Sequence, residues 1–392
     1  MKRFTILIFL FLCAGHLVAQ KPSLNKAYNL YYEKDFVKAK EMIDLCTQDP
    51  KLQTRAQTWL YKGNIDFYLA NQEYGEKQQN SDYRLQFPNT PSESFDAFQK
   101  ALEINRNVES YEMLTPEEGL SKLYALLLIE GVDQLIAESY GTAKKTLEKA
   151  IYSYEMKTPE HPLQGEIYYY YAYALEMLNQ PGEAGTYYEK AIQDGSVNPS
   201  VYIRLIEQYK NEGNSAKVIE FINKAKTAIP GNPTVMVAEV DYYWDTDPAK
   251  GEQLLSQLPA SVYTNPDALV NMANLYIKKE DYIKAEDLLK KANRINPGNF
   301  VIVYNLGYCY LKLYDQKFME ANNLAIAGNK EEAAQATRQS EVYLDNAEAF
   351  FEQALTFGTD ELNIMEQLKE IYARKKSPKY EEMIEKINNR KR

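Results

Sequence analysis

Beyond its first twenty residues the chain holds one histidine, His161; the other, His16, falls just after the opening apolar run. One imidazole cannot build a histidine metal site or a pair of histidine acid–base catalysts. A serine–histidine–aspartate arrangement could use only His161, which sits in Thr158-Pro159-Glu160-His161-Pro162 and reads as a loop. No G-x-x-x-x-G-K-S/T or G-x-G-x-x-G run occurs, so no glycine-rich phosphate cradle is expected. Cys46 and Cys309 stand far apart in apolar helical patterns and read as small buried side chains, neither nucleophiles nor a disulfide pair. The 55 acidic residues offer no pair that stands out from the solvated faces of amphipathic helices. The expected chemistry is therefore recognition, with no catalytic residue, metal or cofactor. The outlier that fits recognition is tyrosine, 33 residues against 14 Phe and 2 Trp. A tyrosine pairs a large apolar face with one hydrogen-bonding tip, a combination suited to protein interfaces.

The opening residues carry an address. Lys2 and Arg3 precede an apolar run, Phe4 to Leu12, and small residues lead to Leu17-Val18-Ala19-Gln20. This order reads as a secretory signal peptide over residues 1–20. The run is too short to span a bilayer, which needs ~20 apolar residues, and no later stretch is longer. Leu12 stands where a lipid-attachment motif wants a small residue before Cys13, so lipidation is not expected. Proline spoils the glycosylation sequons at Asn198-Pro199-Ser200 and Asn232-Pro233-Thr234. The expectation is an exported protein, periplasmic first and extracellular second. Its formal charge of -10 disfavours nucleic acid and anionic membrane surfaces as partners.

The elements that must position the tyrosines repeat. Asn-Pro recurs at Asn198, Asn232, Asn265 and Asn296, at spacings of 34, 33 and 31. Asn caps a helix N-terminus and Pro suits the first helical position, so these sites read as helix starts or inter-repeat turns. Between Asn265 and Pro297, Leu269, Met272, Ala273 and Tyr276 form one apolar stripe; Ala285, Leu289 and Ala292 form a second. Similar pairs recur around Tyr168–Leu175 with Ala184–Ala191, and around Tyr202–Tyr209 with Val218–Ala225. Others place Gly131 before Ala143 and Ala150, Gly63 before Phe98, and Gly307 before Phe351.

This pattern resembles the tetratricopeptide repeat, W-x2-L-G-x2-Y followed by A-x3-F-x2-A and P. The resemblance implies an all-α, right-handed superhelical solenoid of about eight or nine helix-turn-helix repeats over residues 21–392. Two units are stretched. A polar insertion at about residues 72–90 is expected to be a surface loop. A second, at about 313–340 and rich in Ala, Glu and Asn from Met319 to Ser340, is expected to be lengthened, projecting helices.

By the same resemblance the first helix of each hairpin lines an inner, partner-binding face. Carried over position by position, that face holds Tyr28, Tyr31, Tyr32, Asn64, Phe67, Tyr68, Tyr169, Tyr173, Asn274, Tyr304 and Tyr308. Leu128, Val132, Leu135, Met177, Glu207, Lys210 and Lys278 extend the row. Chaperone-binding repeats hold a C-terminal carboxylate with Lys and Asn at set inner positions; here Asn274 matches but Val270 replaces the Lys, so that clamp is broken. The expected function is a non-catalytic adaptor of the cell envelope that binds protein partners, supporting assembly, secretion or maintenance of a complex. The alternative is a glycan- or peptidoglycan-binding module using stacked aromatics, disfavoured because Trp59 and Trp244 fit the repeat core.

Overall fold

The computed structural model describes residues 21–80, 82–156, 163–358 and 361–390. The signal peptide expected over residues 1–20, and His161, lie outside the described residues. Among the described residues every regular element is helical. The chain, expected as one continuous array, divides into two compact units, Met1–Ser196 and Val197–Arg392.

The first unit holds α1 (Leu24–Tyr32), α2 (Phe36–Gln48), α3 (Ala56–Gln79), α4 (Thr90–Ile104), α5 (Pro116–Lys122), α6 (Tyr124–Ile136), α7 (Tyr140–Glu155), α8 (Glu166–Met177) and α9 (Pro181–Gln193). The second holds α10 (Pro199–Asn211), α11 (Ser215–Ala228), α12 (Pro233–Thr246), α13 (Pro248–Ser256), α14 (Pro266–Lys278), α15 (Tyr282–Ile295), α16 (Phe300–Ile326), α17 (Lys330–Leu355), α18 (Glu361–Arg374) and α19 (Lys379–Arg390). They pair as antiparallel hairpins, with α5 as an unpaired extra helix. Thr115 and Glu118 cap α5 reciprocally, a signal legible in Thr115-Pro116-Glu117-Glu118.

Seven hairpins turn the same way. Lys34, Glu138, Asn179, Gly213, Glu280, Gly328 and Lys376 each take a left-handed φ directly after the first helix. At the first of them, Lys34 N–H donates to Tyr31 O and Asp35 N–H to Leu30 O, which satisfies carbonyls the helix end leaves open. The next residue then caps the second helix, as Asp35 does for Lys38 N–H and Asp281 for Lys284 N–H. Asn198, Asn232 and Asn265 cap α10, α12 and α14. Asn296 differs: it ends α15, and Asn299 caps α16 by accepting from Ile302 N–H.

Small residues set the helix crossings. Ala273, Ala285 and Ala292 are wholly buried, as are Ala143, Ala150, Ala172 and Ala191. The Phe98 ring lies between two glycines: a Cβ on Gly63 would come within 2.6 Å of it, and one on Gly119 within 2.3 Å. Phe351 meets Gly307 in the corresponding place. Tyrosines bridge neighbouring helices with the ring inside and the hydroxyl at the rim. Tyr171 donates to Glu148 (2.9 Å), Tyr168 to Glu155 (3.0 Å), Tyr188 to Glu176 (2.8 Å) and Tyr372 to Glu352 (2.9 Å). Much of the tyrosine excess therefore holds helices together. Trp244 packs edge-on to Tyr276 at 5.6 Å, and Cys46 and Cys309 are buried free thiols, with burial pushing the Cys309 pKa up to about 12.

The first unit also buries charge. Lys40 and Lys62 reach Asp66, Asp44 and Glu93, with Lys40–Glu93 at 2.6 Å, Lys62–Asp44 at 2.7 Å and Lys62–Asp66 at 2.8 Å. Asp66 is fully buried, and burial raises its pKa against the pull of both lysines. Burial alone would lower the Lys62 pKa, but Asp66 and Asp44 together hold it above the usual lysine value. Glu73 and Glu130 are buried carboxylates of α3 and α6. Glu73 accepts from Gln86 N–H (2.8 Å), Phe87 N–H (2.9 Å) and Tyr83 (3.3 Å). The insertion expected as a loop is thus half helix, since α3 continues to Gln79, and half a loop tied back onto it. Glu130 accepts from Ser92 N–H (2.9 Å), Ser92 Oγ (2.8 Å) and Gln134 (3.0 Å) at the N-terminus of α4.

Two outcomes are expected. Gly63→Ala should lower stability by about 1–3 kcal/mol through overpacking on Phe98. Gly75→Ala, where a Cβ meets nothing within 4 Å, should raise it by about 0.5–1 kcal/mol; urea denaturation reads both. Burial raises the Glu130 pKa to about 7, against the hydrogen bonds that favour the anion. The folded protein then holds this proton more tightly than the unfolded chain, so the stabilisation is full below the unfolded Glu pKa and lost as pH rises through about 7. Between pH 5 and pH 8 the native protein should lose about 2–3 kcal/mol relative to Glu130→Gln; equal pH profiles would refute the assignment.

Candidate functional site

The faces lined by first helices differ between the two units. In the first unit, α1 and α3 are covered by the chain itself. Asn64, expected on an open face, is fully buried. Its Oδ1 accepts from Leu114 N–H at 2.8 Å, and its Nδ2 donates to Leu114 O at 3.0 Å and to Leu60 O at 3.0 Å. Tyr31, also buried, donates from its hydroxyl to Glu112 O at 3.2 Å. Burial, then Tyr68, holds the Tyr31 pKa above the usual tyrosine value. Phe67 is buried edge-on to Tyr68 at 5.3 Å. Exposure expected at Tyr31, Asn64 and Phe67 is thus corrected: residues 110–114 lie over Tyr31 and Asn64, and Phe67 turns into the helix packing.

Tyr28 and Tyr68 are half-buried, Tyr28 against Tyr61 at 5.5 Å and Tyr68 stacked on Phe36 at 5.8 Å. Tyr32 is 59% exposed. Farther along, Leu128 and Leu135 are buried while Val132 is half-buried. Tyr169 and Tyr173 are half-buried, Tyr169 lying 5.0 Å from Tyr170 and 6.1 Å from Tyr188. Met177 is exposed at the end of α8.

In the second unit the first helices α10, α12, α14 and α16 line an open trough. Its larger part, about 640 Å³, is walled by Ile203, Arg204, Val270, Asn271 and the capping residues Asn198, Asn232, Asn265 and Asn299. A smaller part, about 200 Å³, continues past Asn271 to Asn274, Lys210, Asp241 and Lys278. Asn274, Glu207, Lys210 and Lys278, expected on this face, line it. Asn271 and the capping asparagines, not among the residues expected there, also wall it. Helical spacing from Asn274 carries the signal for Asn271, which lies one turn earlier.

At the smaller part of the trough Lys210, Lys278, Asp241 and Asp245 pair with one another. Lys210 bridges Asp241 (2.5 Å) and Asp245 (2.8 Å), and Lys278 bridges Asp245 and Asp241. Burial alone would raise the Asp245 pKa, but Lys210 and Lys278 hold it below the usual carboxylate value. Past this ladder, Asn305 donates to Asn274 at 3.1 Å and Asn363 to the Tyr304 hydroxyl at 3.0 Å. Tyr304 and Tyr308 are half-buried, Tyr304 edge-on to Phe351 at 5.6 Å. The trough thus offers amide groups, which both donate and accept, beside apolar patches at Ile203, Val270 and Val301.

Among the described residues no helix is long and apolar enough to cross a membrane. No family model and no curated protein matches the chain. Solved structures similar to it include a human IFIT1 dimer with m7Gppp-AAAA, 17% identical, covering 83% of this chain and 72% of that one at a TM-score of 0.43. Yeast Tom70 is similar at 13% identity, covering 93% of this chain and 98% of that one, TM-score 0.44. A TPR repeats protein from Bacteroides fragilis is similar at 18% identity, covering 64% and 98%, TM-score 0.26. By its own packing, with small buried residues at many of the crossings and a turn that recurs in seven hairpins, the chain is an all-helical stack of hairpins, the fold that the tetratricopeptide resemblance implies.

Proposed function

We propose that the protein is an exported, non-catalytic scaffold that holds a protein segment in the trough of its second unit. The observation that carries this reading is the trough itself: open, walled by amides and apolar side chains together with Arg204, Glu207 and Asp267, with Lys210, Lys278, Asp241 and Asp245 joined as an ion-pair ladder at its smaller part. Amides can read a peptide backbone and apolar patches can seat side chains. The opening residues supply the address. A charged start followed by a short apolar run supports export, and the periplasm is the compartment this reading favours. Partners there would be envelope proteins. Neither tryptophan is among the trough's lining residues: Trp59 lies on α3 of the first unit with its indole N–H on Gln53 O, and Trp244 packs edge-on to Tyr276, so the trough lacks the indoles that a sugar-stacking site would use.

A photo-crosslinking residue at Asn271 tests this directly. In cells, it should join the protein to a discrete partner, while the same residue at exposed Lys224 on α11 should not. The double change Asn271→Ala and Asn274→Ala should weaken capture about tenfold, in line with losing two hydrogen-bonding groups. Equal crosslinking from both positions, or full capture by the double variant, would remove the trough from the function.

A further inference from the structure

In the first unit, residues 110–114 cover Tyr31 of α1 and Asn64 of α3. Between α4 and α5 the chain makes a turn in which Met113 N–H donates to Ser110 O at 3.3 Å. Glu112, third in the turn, takes a left-handed φ of 55°, which favours glycine and is unfavourable for a side chain bearing a Cβ. The turn is held from below by side chains of two first helices. Tyr31 of α1 binds Glu112 O, and the Asn64 amide of α3 binds both main-chain groups of Leu114. Met113 packs on the apolar cluster that contains Ala27, Tyr31 and Ile65.

Three features set this apart from an ordinary connection. Its main-chain groups are read by side chains of the face that should meet a partner, so the contacts have the form of peptide recognition. The helices that form the seat also pack on one another, α1 and α3 on each other and both on α2. The strap carries a residue in the left-handed region, Glu112, and an exposed side chain, Tyr111 being 74% exposed.

We propose that the α1–α3 face is a second binding site, for a short turn-forming peptide segment with an apolar residue at the Met113 position, and that residues 110–114 occupy it in cis until such a segment displaces them. The site is separate from the trough and stands or falls independently of it. Asn64 recognises the backbone of the segment, Tyr31 its turn carbonyl, and the cluster around Ile65 its apolar side chain.

The probe is a fluorescent peptide with the chain's own residues 107–115, titrated against the protein from Lys21 onward. Met113→Asp with Leu114→Pro removes the apolar anchor and the N–H that Asn64 accepts, and should release the strap. That variant should bind the peptide at least tenfold more tightly than the unaltered protein, and adding Asn64→Ala should cancel the gain. Glu112→Gly relieves the left-handed strain, tightens the strap and should weaken peptide binding below that of the unaltered protein. A released variant of native helicity that binds no better, or binding indifferent to Asn64, would overturn the proposal. Hydrogen exchange on the unaltered protein gives a reading that needs no released variant. Saturating peptide should speed exchange of the Leu114 amide at least threefold, and an unchanged rate would also overturn it.

Discussion

The close approach of neighbouring helices is the constraint from which the remaining structure follows. No hairpin here can bury its own apolar stripe, so each depends on the next for cover. That cover requires backbones near enough for large side chains to fill the space between them. Alanine and glycine at the crossings allow it, and Phe98 and Phe351 occupy the room left by Gly63, Gly119 and Gly307. Tyrosine extends the same arrangement outward. Its ring fills the gap between helices and its hydroxyl reaches a glutamate at the rim, so one residue type serves packing and polar satisfaction together.

Polar groups enter the two units in different ways. The first unit draws carboxylates and ammonium groups inside, around Lys40, Lys62 and Asp66, and gives each several partners. Glu73 and Glu130 perform a related task for loops and helix ends, fixing backbone that would otherwise be open to water. Buried charge of this kind adds little net stability but penalises any arrangement that leaves a partner out. The second unit keeps its charge ladder along the trough and relies on a nearly continuous apolar core running from Val237 to Ile387. The first is specified by polar matching at particular points, the second by repeated apolar packing.

The repeating frame was legible in the sequence for a physical reason. Ala273, Ala285 and Ala292 recur at spacings that only a helical hairpin uses, and Asn-Pro marks three helix starts where both residues have a structural preference. The lengthened α16 and α17 were legible because their composition stays helix-forming throughout. What was not legible depends on contacts distant in the chain. Asn64 in α3 looks the same in sequence whether it faces solvent or Leu114, fifty residues on. Lys40 and Asp66 look like any surface pair until α4 brings Glu93 against them. Asn296 had the right dipeptide but lost the cap to Asn299, because the chain needs three more residues to reach the next helix. The site was legible as a face but not in its occupancy, since covering by another segment leaves no local pattern.

The long pair α16 and α17 carries one further consequence. Its helices have 27 and 26 residues, where α14 and α15 have 13 and 14. The added length in α16 is close to four whole helical turns at ~3.6 residues each. Growth by whole turns leaves the angular phase of the α16 apolar stripe nearly unchanged, so its distal end carries on the orientation set at the base. Lineages could therefore lengthen or trim this arm in steps of seven, eleven or fourteen residues without re-aiming its end. A step of two or nine would instead swing the tip around the axis and present a different surface to whatever it meets.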